Sequence, residues 1–175
     1  MKYLIFLLSS FVAFSCSQTI ASNMITKGCV ASVCVGADES VLRTDFLGNV
    51  HDSTVNREGD EYPALRVVFD DNSSIVLELE NSSVWAIRVS DSKLITAKGV
   101  SVGSTFSEVK KAYPDAILNY GEEDGGYISL FVKELNGFFS FDTKNIFSGV
   151  AERSSDLNEK SFYKLKARII LIHNM

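Results

Sequence analysis

The chain has 175 residues, of which 46% are hydrophobic, and a net charge of −5. This length and composition suit one domain, or two small similar halves, around a real core. The acidic balance and the lack of a basic patch exclude nucleic acid as an expected partner.

The first 21 residues are predicted to be a signal peptide. Lys2 precedes an apolar run, Tyr3–Phe14, that is short for a membrane span and typical of a secretion signal. Cleavage before Cys16 would make this cysteine the lipidated first residue of a lipoprotein, although the usual leucine three positions earlier is missing. Cleavage after Ala21 would release a soluble protein. We favour the lipoprotein, because a cysteine directly after the apolar run is otherwise unexplained. The expected location is the periplasm or the outer membrane, with the membrane contacted only through the lipid.

The three cysteines of the chain support export. If Cys16 is acylated or removed, Cys29 and Cys34 remain as a pair. In an oxidising periplasm this pair is predicted to form a disulfide.

The first half of the mature chain predicts one helix and three strands. Asp38 is the expected helix cap, and Val41, Leu42 and Phe46 are the expected apolar helix residues. In the third strand, alternation predicts that Trp85, Ile87 and Val89 share one face. The predicted strands are Leu65–Phe69, Ile75–Leu79 and Val84–Val89.

The second half repeats this order. Thr105 and Glu108 form a capping-box pattern, and Phe106, Val109 and Tyr113 follow on one helix face. The predicted strands are Tyr127–Val132, Phe138–Phe141 and Phe147–Glu152, with a last strand at Leu165–Ile172.

These elements predict an α+β fold for residues 22–175. An antiparallel sheet would carry short helices on one face. The domain would consist of two similar helix-plus-three-strand halves, about 30–92 and 97–172, and a final C-terminal strand.

Two polar segments are candidate protein-binding loops, since loops on a rigid sheet commonly bind. Asn49–Tyr62 contains His51 and Arg57, and Gly121–Gly126 contains three consecutive carboxylates. Those carboxylates lack the alternating spacing of a calcium loop, so a solvated hairpin loop is the simpler interpretation. The three are Glu122, Glu123 and Asp124.

Aromatic residues form a second candidate surface. Phe139 and Phe141 share one face of a predicted strand, and Phe138 takes the other. One face must be core. The other is either covered or exposed, and an exposed aromatic patch would indicate a protein-binding surface.

Catalytic and metal-binding motifs are absent from the sequence. There is no G-x-S-x-G motif or phosphate-binding glycine loop, and the two histidines lack partners at metal-ligand spacing. The sequence therefore predicts a non-enzymatic protein without metal or cofactor.

The central segment resembles a known family. Ile87–Ser92, Gly99-Val100, Val102-Gly103 and Phe106–Glu108, together with the leader and Cys16, are similar to the RpoE-regulated lipoproteins of Gram-negative envelopes. The helix-plus-sheet plan also resembles the β-lactamase inhibitory proteins and, more loosely, small outer-membrane assembly lipoproteins. The family resemblance implies a periplasm-facing lipoprotein without an established enzymatic role.

Two functions follow as hypotheses. The first is a non-enzymatic envelope protein that binds another protein of the envelope. The second is a secreted or periplasmic inhibitor or immunity protein that inserts one of the two polar loops into a hydrolase, such as a lysozyme or a β-lactamase.

Overall fold

A computed structural model describes residues 23–57, 59–121, 127–143 and 159–173. Several predictions therefore lie outside the described residues: the signal peptide, the lipidation of Cys16, the strand Phe147–Glu152, and the placement of Glu122, Glu123 and Asp124.

The described residues form mainly strands. The strands are β1 (Met24–Thr26), β2 (Cys29–Val30), β3 (Val33–Cys34), β4 (Val50–Arg57), β5 (Asp60–Val68), β6 (Ser74–Glu80), β7 (Ser83–Val89), β8 (Ile95–Thr96), β9 (Ile117–Gly121), β10 (Tyr127–Val132), β11 (Gly137–Phe141) and β12 (Ala167–His173). The helices are α1 (Glu39–Asp45), α2 (Phe106–Ala112) and a short 3-10 helix, Glu159–Phe162. None of the helices in this described part is long and apolar enough to span a membrane.

The strands form two sheets. The large sheet has eight antiparallel strands in the order β4-β5-β6-β7-β12-β11-β10-β9. The small sheet has four strands in the order β3-β2-β1-β8, and its β1–β8 pair is parallel. The two central strands of the large sheet, β7 and β12, come from different halves of the chain, so the sheet joins both halves.

The inner face of the large sheet carries the core. Successive side chains of each strand point to opposite faces of the sheet, so cross-strand partners form rows that share one face. One row on the inner face consists of Val67, Ile75, Val89, Ile170 and Phe139, each at most 1% exposed. Small-sheet residues and the buried side of both helices belong to the same cluster: Ile25, Val30, Val33, Leu42, Phe106 and Val109.

The predicted α+β class is wrong. Strand residues make up 51% of the described part and helical residues 14%, which gives a mostly β, sandwich-like fold. Each α-helix has only seven residues, and the small sheet also contributes to the core. The prediction missed β4 because this edge strand carries many polar residues, which resemble a loop in sequence. It also missed β9, the opposite edge strand, which has only five residues.

Both helix starts were predicted correctly. The Asp38 side chain accepts a hydrogen bond from the Ser40 N–H. Thr105 and Glu108 form the full capping box, and the Thr105 backbone N–H lowers the pKa of the Glu108 carboxyl by hydrogen bonding to it. Val41, however, is 51% exposed and does not join the core.

The same backbone hydrogen bonds recur where each helix begins. The Gly36 N–H donates to the Val84 carbonyl, and the Gly103 N–H donates to the Ala167 carbonyl. Ser82 and Leu165 accept in the same way from the first residues of α1 and α2, respectively. The start of α1 is therefore bonded to the beginning of β7, and the start of α2 to the beginning of β12. Both helices lie on the core side of the large sheet.

The predicted disulfide between Cys29 and Cys34 is confirmed. The two cysteines are directly paired neighbours in β2 and β3, and they close a loop with a sequence separation of five. The bond therefore ties the outer hairpin of the small sheet.

We expect the double variant Cys29→Ser, Cys34→Ser to unfold with a free energy lower by about 2 kcal/mol, because a small cross-linked loop restricts the unfolded chain only modestly. Urea denaturation followed by far-UV circular dichroism measures the change. The oxidised and reduced wild-type proteins should differ by the same amount, and identical midpoints would contradict the expectation.

A β-bulge changes the face of Trp85. The register between β6 and β7 shifts at Glu78 and Leu79, so Val84 enters the core at 1% exposure. Trp85 remains half-buried below the Arg57 guanidinium, on the opposite face from Ile87. The predicted common face for Trp85, Ile87 and Val89 is therefore wrong for Trp85.

Gly137 begins β11 at a place where the backbones approach closely. A Cβ atom there would lie 2.5 Å from Ile172 Cδ1 and 2.8 Å from the Leu171 carbonyl oxygen. The preceding Asn136 takes the left-handed conformation of the turn, with φ 51°. Asn136 and Gly137 thus lie at the turn into β11, and the close contact with β12 requires glycine at position 137.

We expect Gly137→Ala to lower the free energy of unfolding by about 1–3 kcal/mol, because the carbonyl of β12 must move to admit the methyl group. Chemical denaturation measures the loss. Ser140→Ala, a half-buried position on the same strand, is the control and should change stability by less than about 0.5 kcal/mol. Equal effects at both positions would show that the close approach is not what matters.

Candidate functional site

A single row of side chains crosses the outer face of the large sheet. The pairing register links one residue from each of the eight strands on the face opposite the core. We call these residues the outer row: His51, Arg66, Val76, Arg88, Leu171, Phe138, Phe131 and Ile117. Every member of the outer row remains at least partly exposed to solvent, unlike the core row on the inner face.

The outer row divides by chemistry. Its first half carries the cationic side chains of Arg66 and Arg88 together with His51, and the second half is apolar. In the apolar half, the rings of Phe131 and Phe138 lie 4.9 Å apart, and Ile117 is 57% exposed. The His173 ring stacks on Phe138 at 5.3 Å. The face therefore presents a basic area beside an aromatic and aliphatic one.

A buried carboxylate lies next to the basic half. The Glu78 side chain is 2% exposed and lies between two arginines. The Arg88 Nε donates a hydrogen bond to Glu78 Oε1, and the Arg57 Nε lies 3.5 Å from Glu78 Oε2 without a hydrogen bond to it. We call these three residues the arginine–glutamate triad. It holds two positive charges against one negative charge.

Small and aromatic neighbours explain how the triad fits on a sheet face. Ala64 and Ala86 are the cross-strand neighbours of Glu78, and their small side chains leave room for the carboxylate. The Arg57 guanidinium carbon lies 4.1 Å from the Tyr62 ring centroid and 5.4 Å from that of Trp85. These cation–π contacts restrict the position of Arg57.

The structure brings together only part of the predicted site. His51 and Arg57 lie on the outer face of β4, six positions apart, so they share a face but are about 20 Å apart. The expected loop Asn49–Tyr62 is instead largely the β4–β5 hairpin, because its polar residues pair along both strands.

Sequence reasoning missed Glu78 and Arg88. Alternation does place Arg88 opposite Ile87 and Glu78 opposite Leu77, but polar residues in those positions are normally taken as solvated. The available signal was their position in two consecutive predicted strands, Ile75–Leu79 and Val84–Val89, where a carboxylate and a guanidinium on one face can pair.

The structure also contains a cleft that is lined by residues outside the outer row. The cleft of about 460 Å³ lies beside α1 and carries the acidic residues Asp45, Asp70 and Asp71 among its lining. Within residues 23–57, 59–121, 127–143 and 159–173, no group of three or more His, Cys, Asp or Glu side chains is arranged to hold a metal ion.

The fold is similar to the crystal structure of the uncharacterized protein YfeY from Escherichia coli. The TM-score is 0.53 at 16% sequence identity, and the match covers 89% of this chain and 100% of that chain. No protein-family model matches the sequence, and no curated protein matches it. At this identity the likeness establishes a common fold.

Proposed function

We propose that this chain is a non-enzymatic envelope protein that binds another protein through the outer face of its large sheet. The observation that carries this proposal is the outer row, in which a partly exposed apolar half lies beside a basic half. Aromatic and arginine side chains are the types enriched at protein interfaces. An eight-stranded face also offers more contact area than a loop tip.

The envelope location rests on the N-terminal sequence. The signal-like leader, Cys16 and the resemblance to the RpoE-regulated lipoproteins support export and a lipid anchor, and the Cys29–Cys34 disulfide fits an oxidising compartment. Intact-mass measurement of the mature protein tests this part. A diacyl or triacyl adduct on Cys16 in the membrane fraction is expected. A free N-terminus at Ser22 in the soluble fraction would overturn the anchor and favour the soluble inhibitor.

Site-specific photocrosslinking tests the binding surface. The photoreactive p-benzoylphenylalanine replaces Ile117, which is 57% exposed in the outer row, or Val41, which is 51% exposed on α1. In intact cells that produce the protein, we expect a discrete adduct from position 117 and none from position 41. Mass spectrometry identifies the partner, and purified partner and protein must then reproduce the adduct.

Apolar-half variants complete the test. Phe131→Ser with Leu171→Ser should abolish the adduct while the disulfide and circular dichroism spectrum remain unchanged. Equal adducts from both photoreactive positions, or no effect of the serine variant, would overturn the outer face as the binding surface. Identification of a hydrolase as the partner, with inhibition of its activity, would select the inhibitor hypothesis.

A further inference from the structure

We infer that the two arginines of the triad form a subsite for a carboxylate of the bound protein. The inference rests on the proposed protein-binding function and specifies its partner: an acidic side chain or C-terminus placed next to apolar residues. Its basis is the arrangement of Arg57, Glu78 and Arg88 and the charge that this arrangement leaves unbalanced.

The first step is the charge balance. Glu78 is the only carboxylate within ion-pair distance of Arg57 or Arg88 among the described residues, so one positive charge remains in excess. The chain as a whole carries a net charge of −5, and Asp60 lies opposite Arg57 in the β4–β5 register, but among the described residues neither arginine forms an ion pair with a carboxylate other than Glu78. An anionic group is the complementary ligand.

The second step is the free hydrogen-bonding capacity. Both arginines direct Nε toward Glu78, and none of their Nη atoms bonds to a residue in the described part of the chain. The side chains are 35% and 27% exposed, so these donors are within reach of a ligand. A guanidinium presents paired N–H donors that match the two oxygens of a carboxylate.

The third step is the fixed position of the Arg57 guanidinium. The Arg57 guanidinium lies over the Tyr62 and Trp85 rings, and its Nε lies 3.5 Å from the buried Glu78 Oε2. The donors are therefore placed before a ligand arrives, which lowers the entropy cost of binding. An arginine side chain that extends into water without such neighbours lacks this restriction.

The fourth step selects a protein carboxylate over other anions. Phe138 and Phe131 lie two and three strands from Arg88, or about 10 and 14 Å at the usual strand spacing. An acidic residue near an apolar residue of one folded partner spans this distance. Phosphate lacks the apolar component.

Fluorescence of Trp85 gives a direct test, because it is the single tryptophan of the chain and borders the triad. The probe is 3-phenylpropionate, which tests the carboxylate contact at the arginines and is too short to reach Phe138, compared with uncharged 3-phenylpropanol, inorganic phosphate and vesicles containing anionic lipid. We expect a saturable change with 3-phenylpropionate and affinity at least tenfold weaker for the alcohol. Tighter binding of phosphate, or binding of vesicles without 3-phenylpropionate, would overturn the inference.

Matched arginine variants locate the site. Arg57→Gln and Arg88→Gln should each weaken the affinity for 3-phenylpropionate at least tenfold, and either variant suffices if the other does not fold. Arg43→Gln removes the same charge from α1, where Arg43 bonds Asp52 and Glu39, and should leave binding unchanged. Equal effects of the Arg43 and Arg57 variants would overturn the subsite.

The crosslinking experiment separates the two proposals. If the adduct at position 117 survives Arg57→Gln and Arg88→Gln but is lost on Phe131→Ser with Leu171→Ser, the protein-binding function stands and the carboxylate subsite fails. If neither pair of substitutions affects the adduct, the proposed function itself fails.

Discussion

Phe106→Ala should lower the free energy of unfolding by about 3–5 kcal/mol, the usual range for deleting a buried aromatic ring. Phe106 is 0% exposed and begins α2. Its ring centroid lies 5.2 Å from that of Phe141, 5.9 Å from Phe162 and 6.2 Å from Tyr163. The ring therefore joins α2, β11 and the segment before β12, and its loss leaves a cavity between elements of both sheet and helix.

Urea denaturation followed by circular dichroism measures this loss, and Phe138→Ala is the matched control. Phe138 is likewise a phenylalanine with ring neighbours, Phe131 and His173, but it lies on strand β11 and is half-buried on the outer face. The control should cost about 1 kcal/mol, because much of its surface is already in water. Similar losses for both variants would mean that the outer face is as well covered as the core.

The second large effect that we expect is a loss of stability when both arginines of the triad are replaced. The double variant Arg57→Met, Arg88→Met leaves Glu78 at 2% exposure without a cation in contact. Breaking a buried ion pair by removing its partners costs about 3–5 kcal/mol. We expect a loss of stability in this range at pH 7, measured by chemical denaturation.

The triple variant Arg57→Met, Arg88→Met, Glu78→Leu separates charge from packing. It fills the same space with apolar side chains, and replacement of a complete buried charge group in this way is often neutral for stability. We expect it to recover most of the stability and to bind no 3-phenylpropionate. If the triple variant is as unstable as the double variant, packing around the triad, and not the isolated charge, determines the loss.

This comparison also bears on function. If an apolar version of the triad folds as well as the natural one, stability does not require the two arginines and the glutamate. Their presence on a partly exposed face would then agree with the proposed carboxylate subsite, for which the Nη donors are the expected contacts.

The sequence by itself determined the local features. The Thr105–Glu108 capping box and the Asp38 cap each depend on residues at most three positions apart. The Cys29–Cys34 pair likewise closes over five positions. Alternation alone also placed Phe139 and Phe138 on opposite faces of one strand, and the structure shows that the face of Phe139 is the core.

Only the tertiary structure decided the fold class and the candidate site. Strands β4 and β9 became recognisable only through pairing, because an edge strand needs no continuous apolar pattern. Arg57, Glu78 and Arg88 lie on three different strands, and the pairing registers of β4 to β7, including the bulge at Glu78, bring them together. Register depends on the whole sheet and its turns, so a buried ion group spread over three strands is not visible in the order of residues.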